Sequence, residues 1–167
     1  MSGIELTGYT PGAIGRVTEL HGTYYAKHWG LGLYFEAKAA AELAAFLSRF
    51  NPATDGVWIA HADGMIVGSI FIDGSDAAGE GARLRWFIIA PDYQGRGLGA
   101  RLMEEAISFC RQVGFRRVYL TTFAGLDTAR HLYEKFGFRL CAEEDGSHLT
   151  GKSSLVEQVF ELILTGA

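Results

Sequence analysis

Cysteine and proline are scarce in this sequence, with two Cys and three Pro among 167 residues. Cys110 and Cys141 lie far apart and share no metal-binding or redox spacing, which argues against a zinc site, a redox motif and a disulfide framework. We therefore expect both to be buried free thiols. The five His residues show no ligand spacing either, so we predict no metal.

The chain also lacks long apolar runs and an excess of positive charge. No apolar stretch approaches the ~18 residues of a membrane-spanning helix, and residues 1–12 do not have the pattern of a secretory signal. The net charge is −4 and the Lys and Arg residues are scattered, whereas nucleic-acid binders concentrate positive charge. We expect a cytoplasmic protein that binds neither membranes nor nucleic acids.

Apolar residues, by contrast, are plentiful. They make up 49% of the chain, which is enough for one well-filled core, and the length is too short for two ordinary domains. No stretch repeats itself or has the composition of a linker. We predict a single domain over residues 1–167.

The most informative stretch changes its period near the middle of the chain. Residues 84–89 are almost all aliphatic or aromatic, which is typical of a strand buried on both faces, and Pro91 ends it. In residues 98–113 apolar side chains recur every three or four positions, which predicts an amphipathic helix. The junction, Gln94-Gly95-Arg96-Gly97-Leu98-Gly99, offers free backbone N–H groups at a helix N-terminus. It predicts an anion site, with phosphate as the expected anion.

Two other phosphate-binding patterns fit less well. Gly95-x-Gly97-x-x-Ala100 meets the dinucleotide fingerprint loosely, but the following strand ends in Thr121-Thr122, without the acidic residue that would hold a ribose. Residues 146–153 match the nucleoside-triphosphate P-loop pattern in full. A P-loop needs a following helix and later strands, and too few residues follow Ser153. We interpret that segment as a hairpin loop.

The order strand, Pro, Gln-x-x-Gly-x-Gly and amphipathic helix resembles the coenzyme A pyrophosphate loop of the GNAT N-acetyltransferase superfamily. Gln94, Gly97 and Gly99 fill that motif. A second segment, residues 129–138, is similar to the family's fourth helix and the start of its next strand. The sequence most resembles the acetyltransferase half of proteins that fuse a MarR-type regulator to a GNAT domain, and we expect no regulatory role to carry over.

The resemblance implies an α/β (α+β) fold: a mixed, mostly antiparallel sheet of about seven strands with about four helices, whose parallel central pair splays to form a cleft. Periodicity and turn signals agree with this order of elements. Predicted strands cover residues 4–9, 57–61, 65–72, 84–89, 116–123, 138–143 and 156–164, and predicted helices cover 11–27, 35–50, 98–113 and a segment capped by Asp127 or Thr128.

The resemblance also implies acetyl-coenzyme A as acyl donor and a primary amine, of a small molecule or a protein, as acceptor. Loop N–H groups would hold the pyrophosphate, with Arg96 and Arg101 as candidates for added charge. The pantetheine arm would lie along the backbone of the central strand, and one N–H group there would face the thioester oxygen. The predicted cofactor-binding residues are Phe87, Ile88, Ile89, Gln94, Gly95, Arg96, Gly97, Leu98, Gly99 and Ala100.

Tyr133 occupies the position at which many members of that family carry a tyrosine that protonates the departing thiolate. It is the predicted general acid, and a packed aromatic side chain is the alternative. The general base stays open, because the central strand lacks the Glu that relatives often use. Candidates are Glu36, Glu80, Glu143, His21 and His148.

One departure from the family pattern keeps a second function open. Leu126 stands where the family commonly has Asn, so a polar contact to the cofactor is missing. The alternative is a protein that binds coenzyme A or acyl-coenzyme A with weak or lost catalysis. A homodimer also stays open.

The aromatic cluster at the end of the first helix is either core packing or a wall of the acceptor pocket; it comprises Tyr24, Tyr25, His28 and Trp29.

Overall fold

The computed structural model describes residues 3–147 and 155–164, which contain seven strands and four α-helices. The elements are β1 (Ile4–Thr7), α1 (Ala13–Trp29), α2 (Leu33–Ser48), β2 (Gly56–Ala62), β3 (Met65–Asp73), β4 (Ala82–Ile89), a short 3-10 turn (Pro91–Tyr93), α3 (Leu98–Val113), β5 (Arg117–Phe123), α4 (Asp127–Lys135), β6 (Arg139–Asp145) and β7 (Val156–Ile163). The predicted bounds lie within about two residues of these.

The strands form one sheet in the order β1-β2-β3-β4-β5-β7-β6. Neighbours pair antiparallel except β4 and β5, which are parallel and are joined through α3. This confirms the predicted mixed, mostly antiparallel fold. β4 and β5 pair only at Ala82–Val118 and Arg83–Tyr119 and then diverge. The predicted splay of the central pair is therefore also confirmed.

Helices cover both faces of the sheet, and successive residues of β3 show which helix covers which face. Phe71 packs on Phe46 of α2, with ring centroids 5.9 Å apart. Ile70 and Ile72 belong instead to the apolar cluster that contains Leu102 of α3. Because successive strand residues point to opposite faces, α1 and α2 lie on one face of the sheet and α3 on the other.

Two predictions about helix ends and cysteines were wrong. Leu126 is the N-cap of α4 and makes no side-chain capping hydrogen bond, so neither Asp127 nor Thr128 caps this helix. Cys110 is buried, as predicted, but Cys141 is exposed. Within the described chain, Cys141 lies on β6, an edge strand that pairs only with β7 and whose seven residues are all exposed.

The central strand is also less apolar than predicted. β4 begins at Ala82, and its residues alternate between buried and half-buried positions. Arg83 and Arg85 occupy half-buried positions, so one side of this strand carries charge into the interior.

The P-loop-like segment, with Lys152, and His148 lie largely or wholly outside the described residues. β7 begins at Val156, three positions after Ser153, where a nucleotide-binding P-loop would continue into a helix. Among the helices of the described ranges, none combines the length and the apolar character needed to cross a bilayer.

Candidate active site

Two cavities lie beside the diverging part of β4. The α2 cavity, of about 130 Å³, is lined by α1, α2, β4 and β5. The loop cavity, of about 420 Å³, is lined by β4, α4 and the loop that leads into α3. Tyr25, Phe87 and Tyr133 line both cavities, so the two meet at three aromatic side chains. This arrangement suits two ligands that approach each other at an apolar junction.

The loop cavity takes its polar groups from the backbone before α3. Gly95 and Gly97 have φ angles of 75° and 82°, in the left-handed region that glycine adopts without a Cβ clash. Among the residues that the structure describes, no acceptor takes a hydrogen bond from the N–H groups of Gly95 through Ala100. These N–H groups, together with the dipole of α3, favour a bound anion.

Most of the predicted cofactor-binding residues line the loop cavity, and two do not. The guanidinium of Arg96 lies on the ring of Tyr93, 5.0 Å from its centroid, and Leu98 is buried in the core. The side chain of Gln94 donates a hydrogen bond to the carbonyl of Ile89 at 3.0 Å, which ties the loop to the end of β4. The residues that line the cavity are Phe87, Ile88, Ile89, Gln94, Gly95, Gly97, Gly99 and Ala100.

A β-bulge shapes the backbone of β4 at the junction. Trp86 and Phe87 lie opposite the single residue Ile70 of β3, and Trp86 has a φ of 45°, which is rare for a bulky residue. The buried hydroxyl of Ser69 donates to the carbonyl of Trp86 at 2.7 Å and holds the bulge. Because β5 diverges, the edge of β4 that faces it has no partner strand in the described chain over residues 84–89.

Tyr133 reaches the junction from α4. Its ring packs on Phe87 and Phe160, with centroids 6.3 and 5.9 Å away, and only 6% of the residue is exposed. Burial raises the pKa of its hydroxyl far above the usual value, so the group is neutral at physiological pH. The hydroxyl has no hydrogen-bond partner within residues 3–147 and 155–164. It is therefore available to donate to a ligand.

The aromatic cluster of α1 fits both predicted roles. Tyr25 lines both cavities and packs edge-on against Phe123 at 5.3 Å, and Tyr24 lines the loop cavity. Trp29 packs against the same Phe123 at 5.4 Å, whereas His28 is exposed. Tyr24 and Tyr25 therefore form walls of the site, and Trp29 packs behind them.

One candidate general base, His21, lines a cavity. Its Nδ1 lies 2.8 Å from the carbonyl of Val17, and because a carbonyl can only accept, Nδ1 carries the proton. Burial lowers the pKa of His21 to about 4, so the ring is neutral at pH 7 and Nε2 is an acceptor. The exposed candidates Glu36, Glu80 and Glu143 line neither cavity.

Glu42 also lines the α2 cavity, and the sequence had not indicated it. Its carboxylate binds both Lys38 and Arg85. Partial burial opposes ionisation, but these hydrogen bonds and charges prevail and lower the pKa of Glu42. A carboxylate with a lowered pKa is a weak base, so Glu42 holds Lys38 and Arg85 in place and does not suit proton abstraction.

Helix α4 supplies further wall residues that the sequence analysis missed. Thr128, His131 and Lys135 line the loop cavity, and their spacing of three and four residues places them on one helix face. That periodicity was a usable signal. Leu126 also lines this cavity, so its apolar side chain does stand in the wall.

Nowhere in the described ranges do three His, Cys, Asp or Glu residues come close enough to hold a metal ion.

Comparison with known sequences gives one clear family match. Residues 16–138 match the model of the Acetyltransferase (GNAT) family. A protein named "Probable N-acetyltransferase camello", from Xenopus tropicalis, is 35% identical over 82 residues, which is 49% of this chain and 37% of that protein. The N-acetyltransferase YjgM of Escherichia coli (strain K12) is 34% identical over 84 residues, 48% of this chain and 49% of that protein. The chain thus spans half or less of the length of these relatives.

Solved structures share the fold over nearly the whole chain. An acetyltransferase from Streptococcus agalactiae 2603 superposes with a TM-score of 0.76 at 21% identity, covering 98% of this chain and all 100% of the other. The protein yncA from Salmonella typhimurium, solved with its cofactor acetyl-CoA, has a TM-score of 0.76 at 15% identity, with coverages of 99% and 96%.

Proposed function

The chain belongs to the acetyltransferase (GNAT) family, and on that premise we propose that it transfers the acetyl group of acetyl-coenzyme A to a primary amine. The observation that carries the proposal is a row of backbone N–H groups beside the loop cavity, from Gly95 through Ala100. Within the described chain, none of them donates a hydrogen bond to an acceptor. A pyrophosphate supplies the several acceptors that such a row needs.

The rest of the donor would follow β4 toward the junction. The bulge at Trp86 and the divergence of β5 leave backbone groups of residues 87–89 beside the loop cavity, where an extended pantetheine arm can pair with them as a strand would. The thioester would then lie near Phe87 and Tyr133, which line both cavities. Within the family, the chain most resembles the acetyltransferase half of proteins that fuse a MarR-type regulator to a GNAT domain, and we propose no regulatory role for it.

The acceptor amine would approach from the α2 cavity as a neutral nucleophile. In the proposed reaction its nitrogen attacks the thioester carbonyl, so that a C–N bond forms and the C–S bond breaks. The departing thiolate must then gain one proton, and the amine nitrogen must lose one. An N–H group of β4 would stabilise the oxyanion. The neutral His21 has Nε2 free to accept a hydrogen bond and orient the amine, but its pKa near 4 makes it a weak proton acceptor, which favours loss of the amine proton to water.

We assign protonation of the thiolate to Tyr133. A coenzyme A thiolate resembles a cysteine thiolate, with a pKa of about 8.5, and the pKa of Tyr133 is much higher. Complete proton transfer from the tyrosine to such a thiolate in water would therefore be uphill, and the difference narrows at the buried junction, because desolvation raises the pKa of the thiol as well. The hydroxyl would first donate a strong hydrogen bond to the developing thiolate and then deliver the proton as the C–S bond breaks.

A second function is favoured by one observation. Leu126 places an apolar side chain in the wall of the loop cavity, where the family resemblance leads one to expect an amide. With no well-placed carboxylate base among the described residues, the same site could bind coenzyme A or its thioesters without efficient turnover.

The decisive experiment combines calorimetry with acetyl-coenzyme A and a thiol-release assay over a panel of primary amines. Binding together with amine-dependent release of coenzyme A supports the transferase. Binding without release for any amine supports the second function. No measurable binding contradicts both.

A further inference from the structure

The α2 cavity carries more positive than negative charge. Among the described residues that line it, three are cationic (Lys38, Arg83 and Arg85) and one is a carboxylate (Glu42). His21 adds no charge at pH 7, because burial lowers its pKa to about 4. An acceptor that enters this cavity therefore meets a net positive wall, although the reacting group that it brings is an amine.

Two of the three cations already have partners. Lys38 and Arg85 both bind Glu42. Arg85 also lies over the ring of Trp86, 4.1 Å from its centroid, and only 15% of its side chain is exposed. Packing and ion pairing hold these two side chains, so neither is free to turn toward a ligand without breaking a contact.

Arg83 is different. One of its terminal nitrogens donates to the hydroxyl of Thr121 on β5 at 3.2 Å. Its Nε is buried and has no hydrogen-bond partner, and no carboxylate in the described chain forms an ion pair with its guanidinium. A half-buried guanidinium without an anion is costly, and the like charge of Arg85 beside it adds to that cost.

The position of Arg83 suits this unpaired guanidinium to binding a ligand. Arg83 is the last residue of β4 that pairs with β5, and it lies on the same face as Arg85, two residues along. The strands diverge beyond it toward Phe87 and Tyr133, where the cavities meet. A ligand held at Arg83 can thus extend along the cavity and present its other end at the junction.

We propose that the acceptor is a small amine that also carries a carboxylate, as amino acids do, and that Arg83 binds this carboxylate while the amine reaches the junction. A guanidinium binds a carboxylate through two parallel hydrogen bonds, and in the described chain the terminal nitrogens of Arg83 donate only one side-chain hydrogen bond, to Thr121. The hydroxyl of Thr121 supports the guanidinium from β5. The cavity, of about 130 Å³, suits a small molecule. This inference rests on the proposed acetyl transfer.

The test compares amino acids with the matching amino acid amides, which keep the side chain and lose the negative charge. Rates are expressed per neutral amine, because amidation also shifts the pKa of the amino group. We expect kcat/KM to be about tenfold or more higher for the carboxylates, the lower end of what a hydrogen bond to a charged group contributes. In Arg83→Gln this preference should disappear, because kcat/KM should fall much more for the carboxylates than for the amides.

Three controls keep the result specific. Arg83→Lys retains the charge without the paired geometry and should keep part of the preference. Arg116→Gln removes an exposed arginine near the start of β5 and should keep all of it. Circular dichroism and Tm of each variant report folding, and calorimetry with acetyl-coenzyme A on the same samples tests the donor site separately.

Equal rates for acids and amides would overturn the inference, as would a preference that survives in Arg83→Gln or a lack of turnover with every amino acid while other amines react. The proposed transferase fails by a different result, namely no amine-dependent thiol release from any acceptor.

Discussion

Tyr133 combines packing in the core with the proposed role of proton donor. Its ring packs in the core that includes Phe160, and the residue lines both cavities. Within the described chain its hydroxyl has no hydrogen-bond partner. Burial keeps the hydroxyl protonated by raising its pKa. The same burial makes the group a weak acid in isolation, so its use depends on a negative charge that develops nearby.

We expect Tyr133→Phe to lower kcat by roughly 10²- to 10⁴-fold, the usual contribution of a positioned proton donor. The affinity for acetyl-coenzyme A should stay within about threefold, because only the hydroxyl is removed and the ring packing is kept. Steady-state kinetics with a verified acceptor and calorimetry with the donor measure the two quantities.

The neighbouring Tyr25→Phe serves as a matched control, since Tyr25 also lines both cavities and is partly buried but comes from α1. A kcat within about threefold of wild type for Tyr133→Phe would make Tyr133 a packing residue. A collapse of donor affinity at constant kcat would make its hydroxyl a cofactor contact.

At the scale of elements, the loop and α3 act as one unit. Gly97 caps α3 with a φ of 82°, and a Cβ added there would meet nothing within 4 Å of it. In the protein without a ligand, the positive φ, and not crowding, therefore limits which side chains residue 97 can carry. Asn and Asp tolerate this region better than other side chains, so they allow charge to be tested apart from backbone strain.

We expect Gly97→Asp to weaken acetyl-coenzyme A binding at least tenfold relative to Gly97→Asn, a difference of about 1.4 kcal/mol. The two side chains have nearly the same size, and only Asp repels a pyrophosphate held at the N-terminus of α3. Asp at a helix start does not destabilise the helix, so both variants should fold. Calorimetry measures the affinities, and equal values for Asp and Asn would argue against a phosphate at this loop.

At the scale of the whole molecule, the buried His21 links folding to pH. Its pKa falls from 6.5 to about 4 on folding because burial disfavours the charged ring, and the hydrogen bond to Val17 only partly offsets this. Between these two pH values the unfolded chain binds a proton at His21 and the folded chain does not. The stabilisation from the neutral ring is therefore complete above about pH 6.5 and is lost as the pH falls toward 4.

From pH 7 to pH 4 this residue should remove about 3 kcal/mol from the free energy of unfolding, since one unit of pKa shift corresponds to about 1.4 kcal/mol. His21→Gln cannot titrate, so its stability should fall less over that range, even if it is less stable at pH 7. Urea unfolding at several pH values measures both curves. The exposed His28→Gln is the control, and parallel curves for wild type and His21→Gln would show that His21 does not titrate as its burial implies.

The order of elements, and the position of the glycine loop that we propose binds an anion, follow from the amino-acid sequence alone. Hydrophobic periods of two and about 3.6 residues, and glycines at Gly95 and Gly97, are local properties, so the strand, loop and helix around residue 94 follow from them. Tyr133 could be singled out because its motif is also contiguous. The same local rules failed at the N-terminus of α4 and at Cys141, where neighbouring elements, not the residues themselves, set capping and burial.

The surroundings of the proposed acceptor site, in contrast, depend on tertiary contacts. Arg83 and Thr121 lie 38 residues apart in the chain, and they meet because β4 and β5 pair at Arg83 and then diverge. The neutral state of His21 and the ion pairs of Glu42 likewise depend on α1, α2 and β4 being packed together. These contacts join residues far apart in the chain, and the desolvation that sets their charge states exists only once the elements enclose them.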